Sequence, residues 1–131
     1  FPESQIASVI DLVADIKKRQ QVAASRVVAH SDIAPERKED PGELFPWNRL
    51  AEKGLAMAQP GPECLEDQNV PSYSDCLSML SHIGYRVIDN QHAAPVLAFQ
   101  RRFLPVALGQ GLDRRTRQAI TAVHQAAFQN S

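Results

Sequence analysis

Apolar residues recur every three or four positions between Glu3 and Gln20, at Ile6, Val9, Ile10, Val13 and Ile16. That is the spacing of one buried face of an amphipathic helix. Lys17, Lys18 and Arg19 end the run with positive charge, which suits the negative pole of a helix better than a docking patch. The period then shortens. Val27, Val28 and Ala29 precede His30, and the alternation Arg26, Val28, His30 predicts a strand that ends at the histidine. Phe45, Pro46 and Trp47 lead into a short helical stretch through Leu50 and Lys53, with Gly54 placed to stop it. Trp47 is assigned to the core, with a place along a cleft as the alternative.

From Ala56 to Ser72 the chain reads AMAQPGPECLEDQNVPS, rich in proline and polar residues and without periodicity, the composition of a linker. It divides the chain into residues 1–55, a linker over 56–71 and a second unit over 72–131. Helical spacing returns over Asp75–Ile83, Ala94–Phe103 and Arg114–Phe128. Leu77, Leu80 and Ile83 mark the first stripe, closed by Gly84; Val96, Phe99 and Phe103 mark the second, with Pro95 tolerated in its first turn. Thr116, Ala119, Ile120 and Val123 mark the third, with Asp113 as its N-cap. Three short amphipathic helices predict a small bundle.

A chain of 131 residues holds one ordinary domain, or a fragment of one with a small second unit. A formal net charge of −1 gives no global attraction to nucleic acid, so no nucleic-acid partner is expected. No apolar run approaches a membrane span. Cys64 and Cys76, separated by eleven residues, lack the spacing of a cysteine zinc site; a disulfide and two free thiols both remain open.

The segment with chemistry in it is His30-Ser31-Asp32-Ile33-Ala34-Pro35-Glu36-Arg37-Lys38-Glu39-Asp40-Pro41-Gly42. It joins an imidazole to a carboxylate through a loop stiffened by Pro35 and Pro41, and zinc accepts both donor types. Lys38 lies two positions before Asp40, which in an extended segment puts its ammonium on the same side, toward an oxygen that turns negative during hydrolysis. The same residues also suit a solvated polar loop, and spacing alone leaves the two readings evenly matched.

The run Val27 to Leu50, VVAHSDIAPERKEDPGELFPWNRL, resembles the end of the catalytic domain of type 2 N-acetylmuramoyl-L-alanine amidases, zinc enzymes of bacterial cell-wall turnover. The resemblance implies that His30 and Asp40 are zinc ligands and that Lys38 stabilises the transition state. It also implies a reaction, cleavage of the amide between the lactyl group of N-acetylmuramic acid and L-alanine of the stem peptide. The family further uses a first zinc histidine and a glutamate general base, and neither has a counterpart here. We therefore expect the other half of the catalytic domain in a separate polypeptide or in sequence outside this chain. The chain alone is then expected to bind zinc poorly and to hydrolyse nothing. The implied fold class is α/β, the C-terminal part of a mixed-sheet zinc amidase domain followed by a three-helix bundle.

The second unit resembles the peptidoglycan-binding domain of wall hydrolases at Leu80, Gly84-Tyr85, Val87, Ala98-Phe99-Gln100, Phe103, Gly111-Leu112-Asp113 and Thr116. This implies a shallow groove for glycan or stem peptide, with Gln100, Arg101 and Arg102 as exposed substrate-binding candidates. A stretch from Asp89 to Ala94 departs from that family's usual form. His82, His92 and His124 have no partner at metal-ligand spacing and are assigned no role. The partners implied are peptidoglycan or muropeptides and the absent N-terminal half of the same enzyme. The setting implied is the bacterial periplasm, with attachment to the outer membrane left open. A reading from a different class, a non-catalytic peptidoglycan-binding protein, stays beside this one; retention of the isolated 72–131 segment on sacculi would favour it.

Overall fold

The computed structural model describes residues 1–36, 38–88 and 92–129. Seven α-helices follow one another among these residues: α1 (Glu3–Gln20), α2 (His30–Ile33), α3 (Trp47–Glu52), α4 (Pro62–Glu66), α5 (Tyr73–Ile83), α6 (Ala93–Phe103) and α7 (Arg114–Gln129). Single 3-10 turns occupy Ala24–Arg26 and Pro105–Ala107. No β-strand is formed among the described residues, and the α/β expectation is corrected to an all-helical chain. The strand expected to end at His30 is the point of difference. Val27 and Ala29 do take extended backbone angles, with ψ of 104° and 162°. Among the described residues no neighbouring segment offers them a ladder, and an extended segment without a hydrogen-bonded neighbour is not a strand.

Two hydrophobic clusters organise the helices. In the N-terminal cluster Trp47, Leu50, Leu55, Ala29 and Ala56 are buried, and Ile10 and Val13 of α1 pack against them from one side. Ile6 is also buried, whereas Ile16, expected on the same face, is 41 % exposed and lies beyond the reach of that cluster. A T-shaped aromatic row, Phe1 to Phe45 to Trp47, runs along its edge. The Arg49 guanidinium donates to both carboxylate oxygens of Glu3, at 2.7 and 2.9 Å, and ties α3 to the start of α1.

The C-terminal cluster is larger. Leu80, Val96, Phe99, Phe103, Ala119, Ile120 and Val123 come from the three helices whose periodicity predicts them, with observed boundaries within about two residues of the expected ones. The caps follow elementary rules. Ser72 Oγ accepts from the Asp75 amide at the head of α5, and Asp113 Oδ1 accepts from the Thr116 amide at the head of α7. Gly84 ends α5 at φ +127°, a conformation that L side chains rarely adopt, and the chain turns there so that Tyr85 points back into the core. The segment read as a linker carries α4, whose Leu65 is buried in this cluster and which packs on α7. No helix among the described residues is long and apolar enough to cross a membrane.

Cys64 is exposed and Cys76 is buried, and both are free. Of the two alternatives left open, free thiols are the one observed. Cys76 sits on the inward face of α5 and is fully buried, and burial raises its thiol pKa to about 11.

Candidate metal and substrate site

Helix α2 is a single turn, and three hydrogen bonds shape the loop it opens. The Asp32 side chain reaches back so that Oδ2 accepts from the Ala29 amide at 2.9 Å, half of a capping box that fixes the entry into the turn. The Lys38 amide donates to the Ala34 carbonyl at 2.9 Å. The Ser31 amide donates to the Asp40 carbonyl at 3.1 Å, and this bond folds the far end of the loop back onto its beginning. The Asp40–Pro41 peptide bond is cis.

The consequence is that His30 and Asp40, ten positions apart in sequence, meet. Nδ1 of His30 lies 3.3 Å from Oδ2 of Asp40, with the side chains 50 % and 64 % exposed. Donors about 2.0–2.2 Å from one tetrahedral zinc lie about 3.3–3.5 Å from each other, so this pair fits two positions of a zinc site. Among the described residues no group of three or more His, Cys, Asp or Glu side chains gathers to hold a metal, so the pair supplies two of the three or four donors that zinc needs. Lys38 is exposed in the same loop, and among the described residues no carboxylate lies within ion-pair distance of it. Arg37 lies outside the described residues.

Gln100, Arg101 and Arg102 do not form the exposed triad expected of them. Gln100 is 0 % exposed, and its amide is committed: Nε2 donates to the Gly111 carbonyl at 2.8 Å and to Thr116 Oγ1 at 2.9 Å, while Oε1 accepts from the Gly109 amide at 3.2 Å. Arg102 is 3 % exposed, with its guanidinium 3.8 Å from the Trp47 ring centroid and 4.3 Å from that of Phe103. Its Nη2 donates to the Met57 carbonyl at 2.8 Å. Burial lowers the Arg102 pKa to about 10, against the opposing pull of Asp32, so it stays a cation at neutral pH. Arg101 is only 12 % exposed and faces Glu39 and Glu43 of the metal-type loop at 3.9 and 3.7 Å. The helical wheel of α6 accounts for the correction: Phe99 and Phe103 take the centre of the buried stripe and draw their polar neighbours under cover.

One buried pair had no place in the sequence reading. The Tyr85 hydroxyl donates to Asp32 Oδ1 at 2.6 Å, joining residues 53 positions apart, Tyr85 from the C-terminal cluster and Asp32 from α2. Loss of hydration raises the pKa of Asp32 against the bonds it receives from Tyr85 and Ala29, and the same burial raises that of Tyr85 well above its usual value. The signals were present separately. An aspartate three positions into a turn is a capping residue, and an aromatic residue just after a helix-ending glycine is aimed inward. A cavity of about 90 Å³ lies beside this pair, lined by Val28, Ile33, Ile83 and Phe103.

A second concavity, about 400 Å³, opens on the C-terminal bundle between α5, α6 and the turn after residue 108, and Tyr73, Leu77, His92, Leu97 and Leu112 line it. His92 therefore lies on a groove wall. His82 and His124 stack at 5.6 Å with Phe128 beside them. Of the stretch from Asp89 to Ala94, residues 89–91 lie outside the described residues.

The family model for N-acetylmuramoyl-L-alanine amidases matches residues 1–43, which include His30, Lys38 and Asp40. The chain is 34 % identical, over 135 aligned positions, to N-acetylmuramoyl-L-alanine amidase AmiD of Escherichia coli, covering 92 % of this chain and 47 % of that protein. It is 37 % identical over 50 residues to the 1,6-anhydro-N-acetylmuramyl-L-alanine amidase AmpD of Enterobacter cloacae, covering 38 % of this chain and 27 % of that protein. Among solved structures, the E. coli AmiD complex with the substrate anhydro-N-acetylmuramic acid-L-Ala-D-gamma-Glu-L-Lys superposes with a TM-score of 0.84 at 31 % identity, covering all of this chain and 55 % of that one. AmpDh3 of Pseudomonas aeruginosa in complex with anhydromuramic pentapeptide gives a TM-score of 0.81 at 30 % identity, covering 93 % of this chain and 52 % of that one. The chain thus spans about half the length of the AmiD and AmpDh3 relatives it matches.

Proposed function

We propose that this chain is part of a zinc-dependent N-acetylmuramoyl-L-alanine amidase that cleaves the amide between N-acetylmuramic acid and L-alanine in peptidoglycan. The observation that carries the reading is the meeting of His30 and Asp40 at 3.3 Å within the segment that the amidase family model matches. The muropeptides bound in the AmiD and AmpDh3 structures support the substrate class.

In this reading His30 and Asp40 hold the metal, and a zinc ion bound there supplies Lewis acidity toward the scissile carbonyl. Asp40 brings negative charge to a dication and His30 a neutral imidazole. Lys38 places an ammonium, with no carboxylate partner among the described residues, in the same loop, where it offsets the negative charge that develops on the carbonyl oxygen of the substrate. The remaining ligand and the general base come from outside the described residues.

Residues 1–55 then form the catalytic part, and residues 72–131 hold the wall. The groove bordered by Tyr73, His92 and Leu97, whose lining also includes Gln100, is the surface that meets glycan or stem peptide, because it combines an exposed aromatic ring with apolar walls. A polymeric substrate of this kind puts the protein in the periplasm, facing the wall.

The test uses the full-length gene product. Zinc content by mass spectrometry and release of stem peptide from a muropeptide are measured for the wild type, Asp40→Ala and Lys38→Ala. We expect Asp40→Ala to lose zinc and activity together, and Lys38→Ala to keep zinc while turnover falls about 100-fold, as for loss of one oxyanion-stabilising group. Unaltered zinc content and turnover in Asp40→Ala would exclude this site from the chemistry.

A further inference from the structure

Among the described residues, Tyr85 and Arg101 of the C-terminal bundle reach into the metal-type loop, and each ends beside one of the two donors. Tyr85 donates at 2.6 Å to Asp32, whose other oxygen holds the amide of Ala29, the residue immediately before His30. Arg101, on α6, faces Glu39 and Glu43, which bracket Asp40, at 3.9 and 3.7 Å. Helix α2 packs directly on α6, and Arg102 on the same helix reaches across to stack on Trp47. The loop has few ties of its own. Its internal bonds leave His30 and Asp40 half exposed, so the wall of the bundle is the rigid body against which they are set.

We propose that Tyr85 and Arg101, both outside residues 1–43 that the amidase family model matches, are positioning residues that hold His30 and Asp40 at metal-binding separation. The bundle is then a structural part of the metal site as well as a unit that meets the wall. The proposal rests on the zinc reading above. Neither residue touches the metal; each acts through the backbone of the loop, as outer partners of metal ligands do.

The test is zinc affinity by chelator competition, with the absorption spectrum of the Co2+-substituted protein, for the full-length gene product and the variants Tyr85→Phe, Arg101→Gln and Asp113→Ala. Asp113→Ala removes the cap of α7, far along the chain from the loop, and serves as a loss of stability without a loss of positioning. We expect Tyr85→Phe and Arg101→Gln each to weaken zinc binding about tenfold, the low end for outer-shell partners, and to shift the Co2+ bands. Asp113→Ala should leave both unchanged. Wild-type affinity and spectrum in Tyr85→Phe and Arg101→Gln would overturn the proposal, as would equal weakening in Asp113→Ala. A wild-type protein that retains no zinc would overturn the zinc reading itself, and that result is in hand before any variant is compared.

Discussion

Replacing Gln100 with leucine separates a structural polar residue from a ligand-binding one. The side chain is fully buried and makes three hydrogen bonds, to the Gly111 carbonyl, the Thr116 hydroxyl and the Gly109 amide. Leucine keeps most of the volume and none of the bonds. At about 1 kcal/mol for each bond lost, the cost approaches 3 kcal/mol. Gly109 and Gly111 are exposed and recover part of that by turning to water, whereas buried Thr116 does not, so the net loss is about 2–3 kcal/mol. For a chain of this size each kcal/mol moves the melting temperature by about 3–5 °C, which gives a drop of roughly 6–15 °C. The assay pairs urea and thermal melts with retention on purified sacculi in the cold, where Gln100→Leu remains folded. We expect lower stability and wild-type retention, because the Gln100 amide, although Gln100 lines the groove, is turned to Gly109, Gly111 and Thr116. Wild-type stability with lost retention would refute the reasoning, because it would mean that the amide faces ligand rather than the turn after residue 108.

Four other outcomes follow from named contacts. Asp113→Ala should cost about 1 kcal/mol in a urea titration, the usual worth of an N-cap; no change would mean that the Asp113–Thr116 bond is replaced by water without loss. Thiol titration of the native protein should find one fast thiol, Cys64, and a second, Cys76, only after denaturation; a native count of zero would restore the disulfide. Burial holds Cys76 protonated up to about pH 11, above its ordinary value of 9.0, so between those pH values the unfolded chain gives up a proton that the folded one keeps. Stability should therefore fall from pH 9 toward 11 more steeply in the wild type than in Cys76→Ala, and parallel slopes in urea melts would contradict this. Phe99→Ala, at the centre of the C-terminal cluster, should cost about 3–5 kcal/mol by guanidinium unfolding; a cost under about 1 kcal/mol would mean that the cluster closes over the space.

What the sequence made legible was local. The stripes of α5, α6 and α7, the stop at Gly84 and the cap at Asp113 depend on residues within a few positions of one another, and each is found where the spacing puts it. His30 and Asp40 were legible as donor types, because a proline-stiffened loop between an imidazole and a carboxylate limits where the two can go. Their 3.3 Å approach depends on a backbone bond from Ser31 to Asp40 that no residue-type preference announces. The strand at Val27–Ala29 failed for the complementary reason: its residues favour extension, and extension becomes a strand only when a second segment arrives. Exposure on α6 was misread because Gln100 and Arg102 look solvent-seeking by type, yet one is tied to a turn nine to eleven residues on and the other lies over Trp47, 55 positions back. The same logic explains Tyr85. Gly84 reads from sequence as a helix stop, and a stop is also a change of direction; here it carries the tyrosine to Asp32, so one glycine both ends α5 and joins the bundle to the loop that carries His30 and Asp40.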